Sequence, residues 1–249
     1  MTFISESTTY NTTNDAHIAF EAGRIIGKFH KLIEDEELLD YKDTIPNFHD
    51  LSLREEQFKN ALISADKLKL ASAVDEIEMA YKTLVKLQNI DISALKTRIC
   101  HNDTKLNNIL FSKTNKNALC LIDLDTIMKG YFFYDFGDAI RTVVNTASED
   151  ETILKNISFN ESLFSSFIEG LASNPSFLTE QEVKSLPLGA VFMPFIHGLR
   201  ALTDYLENNK YYKVTYENQN LDRCKSLFNF SQKTLDKIPF MEGVLKNNF

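Results

Sequence analysis

The chain has 249 residues, with 27 lysines and arginines against 35 aspartates and glutamates, and a formal net charge of −8. An acidic balance of this size argues against a nucleic-acid partner, which needs a basic face to neutralise phosphates. Such a length holds one large domain or two small ones and is enough to bury most of the apolar surface. No Pro/Gly/Ser-rich linker, internal repeat or low-complexity tract divides it. Cys100, Cys120 and Cys224 have neither metal-ligand spacing nor a C-x-x-C pair. They read as small apolar residues in a reducing, cytoplasmic setting. The first residues show no basic start followed by an apolar signal core, and the apolar run 186–199 is broken by Pro194 and His197 and is too short to span a bilayer. No membrane partner is therefore expected.

In chain order, Phe3-Ile4 is the only candidate for a strand ahead of the first helix. That helix should follow the cap Asn14-Asp15, because Ile18, Phe20, Ala22, Ile25, Ile26, Phe29, Leu32 and Ile33 recur at helical spacing. Residues 31–50 read as an irregular connection, followed by a helix over 54–65 and a long one over 68–87. Next comes His101-Asn102-Asp103-Thr104-Lys105-Leu106-Asn107-Asn108, then two short apolar runs, 109–111 and 118–124, separated by the polar stretch 112–117. Two such runs around a polar turn predict a β-hairpin. A hairpin folds its far ends together, so Asp103, Asn108 and Asp123 should converge at one end, with Asp125 nearby. The three residue types fit phosphoryl transfer. One carboxylate accepts the proton of the attacking hydroxyl, an amide oxygen five residues on holds a metal, and a second carboxylate holds the metals that bridge the nucleotide phosphates.

Met128-Lys129-Gly130-Tyr131 reads as a second loop. Asp135-Phe136-Gly137 after it spells the tripeptide that carries the metal-binding aspartate of protein kinases. Asp123 already fills that slot, so Asp135 is expected to be partly buried and to accept hydrogen bonds from backbone donors of the catalytic loop; direct metal ligation is its alternative role. Helices are expected over 160–171, 180–206 and 221–237. A hairpin on a helical bed makes the expected fold α+β, mainly helical.

The segments His101-Asn102-Asp103-Thr104-Lys105, Ile122-Asp123-Leu124-Asp125-Thr126 and 134–141 resemble the aminoglycoside phosphotransferase and choline kinase-like superfamily. Within it they are most similar to the N-acetylhexosamine 1-kinases, as are Glu21-Ala22-Gly23-Arg24, the stretch 44–49, Asn145-Thr146-Ala147 and 199–206 with Tyr211-Tyr212. The resemblance covers nearly the whole chain. It implies a sugar kinase that transfers the γ-phosphate of ATP, with Mg²⁺, to the anomeric hydroxyl of an N-acetylhexosamine. Asp103 would be the base and Asn108 and Asp123 the metal ligands, and Arg200 and Tyr211 match residues that contact the sugar and its N-acetyl group. Read from the residues alone, Arg200 serves equally well as an ion-pair partner of Asp204, four residues on, and Tyr211 as a packing aromatic. His101 reads as a brace for the loop, His197 as a core histidine, and Lys105 as a group pointing toward phosphate.

Kinases of this kind begin with a smaller lobe that carries a phosphate-covering loop and a strand lysine. The eight glycines here form no G-x-G-x-x-G cluster. Residues 1–12 resemble the hinge between lobes and residues 13–249 the catalytic and sugar-binding C-terminal lobe of a protein-kinase-like fold, with the N-terminal lobe absent. Three expectations follow: weak or no activity for this chain alone, association of the N-terminal segment with a second copy or a separate N-lobe polypeptide, and, as the competing reading, a non-catalytic sugar-binding or regulatory remnant.

Overall fold

In a computed structural model describing residues 3–87 and 92–249, Asp15 caps the first helix by accepting the N–H of His17 at 3.0 Å. Helix α1 spans Ala16–Leu32 and buries Ile18, Ala22 and Ile26. Upstream, β1 (Ser7–Thr8) lies along the hairpin, so the strand sits beyond Phe3-Ile4, where it was expected; Phe3 is 89% exposed. Helix α2 (Leu51–Ser64) starts three residues before the expected position because Asp50 accepts the N–H of Leu53.

The long helix expected over 68–87 is two helices, α3 (Lys67–Ser72) and α4 (Val74–Leu87), broken at Ala73. No proline or glycine announces the break. The two pieces serve different neighbours: α3 sends Lys69 Nζ to the Tyr205 carbonyl at 2.8 Å, and α4 buries Ala80, Leu84 and Leu87 against later helices.

Strand β2 (Arg98–Cys100) leads into the segment 101–108, and β3 (Ile109–Ser112) and β4 (Ala118–Leu121) form the expected hairpin, paired Ile109 to Leu121 and Leu110 to Cys120. With β1 they make a three-stranded antiparallel sheet in the order β1-β3-β4. The segment read as a second loop is strand β5 (Met128–Gly130), antiparallel to β2. Helix α5 (Phe132–Val143) follows and was not foreseen; it is buried on nearly every face, the charged side chains of Asp135, Asp138 and Arg141 included. Helices α6 (Glu161–Ala172), α7 (Glu180–Leu206) and α8 (Gln219–Leu235) lie near their expected positions, and α9 (Ile238–Asn248) was not foreseen.

Helix α7 is long and apolar enough to cross a bilayer by length and composition, but its apolar stretch is packed inside the protein against α5 and α8. A capping box of Thr179 and Glu182 starts it, and Glu182 also forms a buried ion pair with Arg98 at 2.5 Å. The fold is kinase-like and mostly helical, with two small sheets.

Glycines set two of the helix crossings. A Cβ on Gly23 of α1 would lie 2.0 Å from the Phe167 carbonyl oxygen of α6, and one on Gly137 of α5 would lie 2.1 Å from the Gly189 carbonyl oxygen of α7. Both crossings bring backbone against backbone, which a flexible side chain cannot relieve. Gly137→Ala is therefore expected to lower stability by about 1–3 kcal/mol or more, read from the midpoint of urea denaturation. An unchanged midpoint would show that α5 and α7 can separate without penalty.

Candidate active site

The catalytic segment leaves β2 through Asn102, whose backbone sits in the left-handed region (φ 62°). Its side-chain amide donates to the carbonyls of Cys100 and Thr126, both at 3.1 Å, and of Met128 at 3.3 Å, tying the loop to both strands of the small sheet. Asp135, on the first turn of α5, lies fully buried behind the loop. It accepts the N–H of His101 at 2.8 Å and of Asn102 at 2.6 Å, and pairs with His30 Nε2 at 2.8 Å. The Thr104 hydroxyl donates to the Asp135 carbonyl, and the Leu106 N–H donates to Thr142 Oγ1 at 2.9 Å. His30, Cys100 and Asp135 bring metal-ligand atoms within 4.8 Å of one another. Both Asp135 oxygens, however, already accept protein donors.

Asp103 and Asn108 meet directly. Asn108 Nδ2 donates to the Asp103 carbonyl at 2.8 Å and to Asp103 Oδ2 at 2.7 Å, leaving the Asn108 amide oxygen available. Lys105 pairs with Asp103 Oδ2 at 2.8 Å rather than standing free. Burial raises the Asp103 pKa above its ordinary value, the nearby charge of Asp138 adds to the rise, and Lys105 opposes both. His101 spans the loop and the hairpin: its Nδ1 accepts the Asp103 N–H at 3.3 Å and its Nε2 bonds the Ile122 carbonyl at 2.9 Å.

Ile122 also donates its N–H to the Asn108 carbonyl at 2.9 Å. The hairpin end thus seats the next residue, Asp123, beside the Asn108 backbone. Asp123 is in the left-handed region (φ 65°) and exposed, as is Asp125, and neither has a hydrogen-bond or ion-pair partner among the described residues.

A cleft of about 480 Å³ opens from Asp103 and Lys105 toward Phe48, Arg200, Tyr211 and Tyr212. The Arg200 guanidinium lies over the rings of Phe48, Tyr211 and Tyr212, at 5.3, 5.8 and 6.0 Å from their centroids. It does not pair with Asp204. That carboxylate is buried and accepts the N–H groups of Tyr211 (2.8 Å) and Tyr212 (3.0 Å) and the side-chain amide of Asn220 (2.8 Å), which sets the two tyrosines beside Arg200. Tyr211 is 73% exposed, so it is not a packing aromatic.

Sequence reasoning missed Phe48, Tyr212, Asp138 and Arg141. Asp138 and Arg141 form a buried pair at 2.7 Å, and Arg141 also reaches Glu149. Burial alone would raise the Asp138 pKa, but Arg141 and then His197, 3.4 Å away, hold it well below the usual carboxylate range. One signal could have found this pair: Asp135, Asp138 and Arg141 recur every third residue on an otherwise apolar segment. Phe48 and Tyr212 carry no such signal.

Two experiments probe this framework. Asp135→Ala would leave the N–H groups of His101 and Asn102 buried and unsatisfied, so a loss of about 3–5 kcal/mol is expected by chemical denaturation. The second concerns His49 and His197, which burial holds neutral, with pKa values lowered to about 4 and about 3. The unfolded chain protonates these histidines near 6.5, so it binds more protons than the native state from there down to about pH 4. Stability should therefore fall on acidification through that window by up to about 1.4 kcal/mol per pH unit for each histidine. His49→Gln should flatten the dependence of Tm on pH; an unaltered slope would show that His49 is protonated in the fold.

Residues 1–160 match the phosphotransferase enzyme family (APH). Among solved structures, a choline kinase from Cryptosporidium parvum Iowa II is 17% identical, with a TM-score of 0.55 over 99% of this chain and 72% of that one. A microcompartment-associated aminopropanol kinase is 15% identical, with a TM-score of 0.55 over 96% of this chain and 68% of that one. An ethanolamine kinase from Plasmodium vivax is 14% identical, with a TM-score of 0.53 over 90% of this chain and 62% of that one. At these identities the likeness is one of fold, while the family match covers well over half of the chain. This protein belongs to the phosphotransferase enzyme family.

Proposed function

We propose that this chain is the catalytic and acceptor-binding part of a sugar kinase that transfers the γ-phosphate of ATP to the anomeric hydroxyl of an N-acetylhexosamine. The observation that carries the reading is the cleft joining Asp103 to Arg200 and Tyr211. A polar sugar is fixed by a few placed donors and a flat apolar wall. The alcohols named for the structurally similar kinases, choline, ethanolamine and aminopropanol, carry a positive charge. Here Arg200 already lies on the aromatic rings that would receive such a cation, and it would repel one.

Asp103 is the base in this reading. Its Oδ2 is held by Lys105 and Asn108, which leaves Oδ1 to take the proton as the acceptor oxygen attacks the γ-phosphorus and ADP leaves. The raised pKa strengthens Asp103 as a proton acceptor. The Asn108 amide oxygen and the partnerless Asp123 carboxylate are hard oxygen donors of the kind Mg²⁺ takes. When bound, the ion would neutralise charge on the nucleotide phosphates.

A second reading, a non-catalytic sugar-binding or regulatory module, draws on one observation. The glycines form no G-x-G-x-x-G cluster that would cover nucleotide phosphates. Turnover is therefore measured with Mg-ATP on this chain alone and with an N-terminal lobe of a homologous kinase supplied.

The expected product is a sugar 1-phosphate, weak or absent without the added lobe. Asp103→Asn should cut kcat by about 10²–10⁴-fold while leaving the denaturation midpoint close to that of the parent. The rate should fall on acidification as Asp103 takes up a proton, at a pH above the ordinary aspartate value. Turnover that survives Asp103→Asn would sink the base assignment, and phosphate on another hydroxyl would sink the anomeric one. Sugar binding with no transfer under either condition would favour the non-catalytic module.

A further inference from the structure

Positive charges along the acceptor cleft are matched by acids, with one exception. Lys105 pairs with Asp103 at 2.8 Å, Arg141 with Asp138 and Glu149, and Arg223 lies 3.9 Å from Glu149. Arg200 has no carboxylate within 4.0 Å among the described residues. Asp204, one turn along α7, is committed to the Tyr211 and Tyr212 backbone and to Asn220. Glu207, two turns along, lines the adjoining hollow without pairing to Arg200.

Behind Arg200 stands a second guanidinium, Arg54. It donates to the carbonyls of Asn47 and Phe48 and to Gln57, and it too has no carboxylate within 4.0 Å among the described residues. Burial, and next the charge of Arg200, lower the Arg54 pKa, and Asp50 opposes them more weakly. This is an unusual arrangement in a chain of net charge −8.

Arg200 Cζ lies over the rings of Phe48, Tyr211 and Tyr212, and the N–H groups of a guanidinium form a fork that matches two oxygens of a carboxylate or phosphate. No carboxylate among the described residues fills that fork.

We propose that the acceptor carries, besides the hydroxyl that receives phosphate, an oxyanion held by Arg200 and favoured by the field of Arg54. The substrate class is an acidic sugar, either a hexuronate or a hexose phosphate. The inference rests on the cleft being the acceptor site, as argued above. It adds a charge to that acceptor, opposite in sign to the cationic alcohols of the structurally similar kinases.

Binding to the whole chain, which needs no turnover, tests it. Isothermal titration at low salt compares N-acetylglucosamine and N-acetylgalactosamine with their uronates and their 6-phosphates, with choline as the cationic control. At least one acidic form should bind about tenfold or more tighter than its neutral parent, and whichever form wins identifies carboxylate or phosphate. The preference should shrink as salt rises and vanish in Arg200→Gln. Arg200→Lys, which keeps the charge and loses the fork, should retain part of it. The salt series on the unmodified chain decides the matter even if the variants fold poorly.

Equal or tighter binding of the neutral sugars would overturn the acidic substrate and leave the sugar acceptor standing. Preference for choline, or no sugar binding at all, would overturn both. A preference that persists in Arg200→Gln would overturn the assignment to Arg200.

Discussion

A carboxylate with no access to water organises the active-site half of this protein. Asp135 accepts the N–H groups of two consecutive loop residues, His101 and Asn102, and pairs with His30 from α1. Removing a charge from water is costly, and only several well-placed donors offset it. Three donors from two different parts of the chain do so here. The loop bearing Asp103, the first helix and α5 are thereby fixed relative to one another, and Thr104 and Thr142 add further bonds between loop and helix.

From that anchor the chemistry is arranged by backbone contacts. Asn102, in its left-handed turn, stitches the loop to β2 and β5, and His101 joins the Asp103 N–H to the Ile122 carbonyl. The hairpin then returns Asp123 to the level of Asn108 through a single backbone bond. Asp103 and Asn108 hold each other side chain to side chain, while Asp123 and Asp125 face solvent with no protein partner among the described residues. Preorganisation of this kind supplies much of the rate in phosphoryl transfer, where the protein contributes position and field more than covalent chemistry.

The aromatic wall around Arg200 follows a similar logic with another carboxylate. Asp204 is buried and accepts the backbone of Tyr211 and Tyr212, which brings both rings to Arg200 while Phe48 arrives from the connection before α2. Asp204 therefore shapes the cleft without neutralising it, and the guanidinium remains free of acids. The family match gives the chain its chemical class.

Local order was legible in the sequence where it depends on neighbours along the chain. The amphipathic period exposed α1, and α6, α7 and α8 were also legible; the polar turn between two apolar runs exposed the hairpin, and the five-residue step from Asp103 to Asn108 marked the candidate catalytic loop. What stayed hidden is set by distant contacts. Helix α5 is buried on nearly every face, with Asp135, Asp138 and Arg141 inside the protein, a placement that only packing decides; β5 is three residues long and exists because β2 lies beside it; Ala73 breaks a helix so that Lys69 and α4 can meet different partners. The partners of Arg200 come from positions 48, 211 and 212, whereas sequence spacing also offered Asp204. Sequence by itself determined which residues could meet at the candidate site, since spacing along the backbone limits which groups can share a loop. Tertiary structure alone decided which charges are neutralised and which remain open to a substrate, because burial and pairing depend on segments brought together only by the packed core.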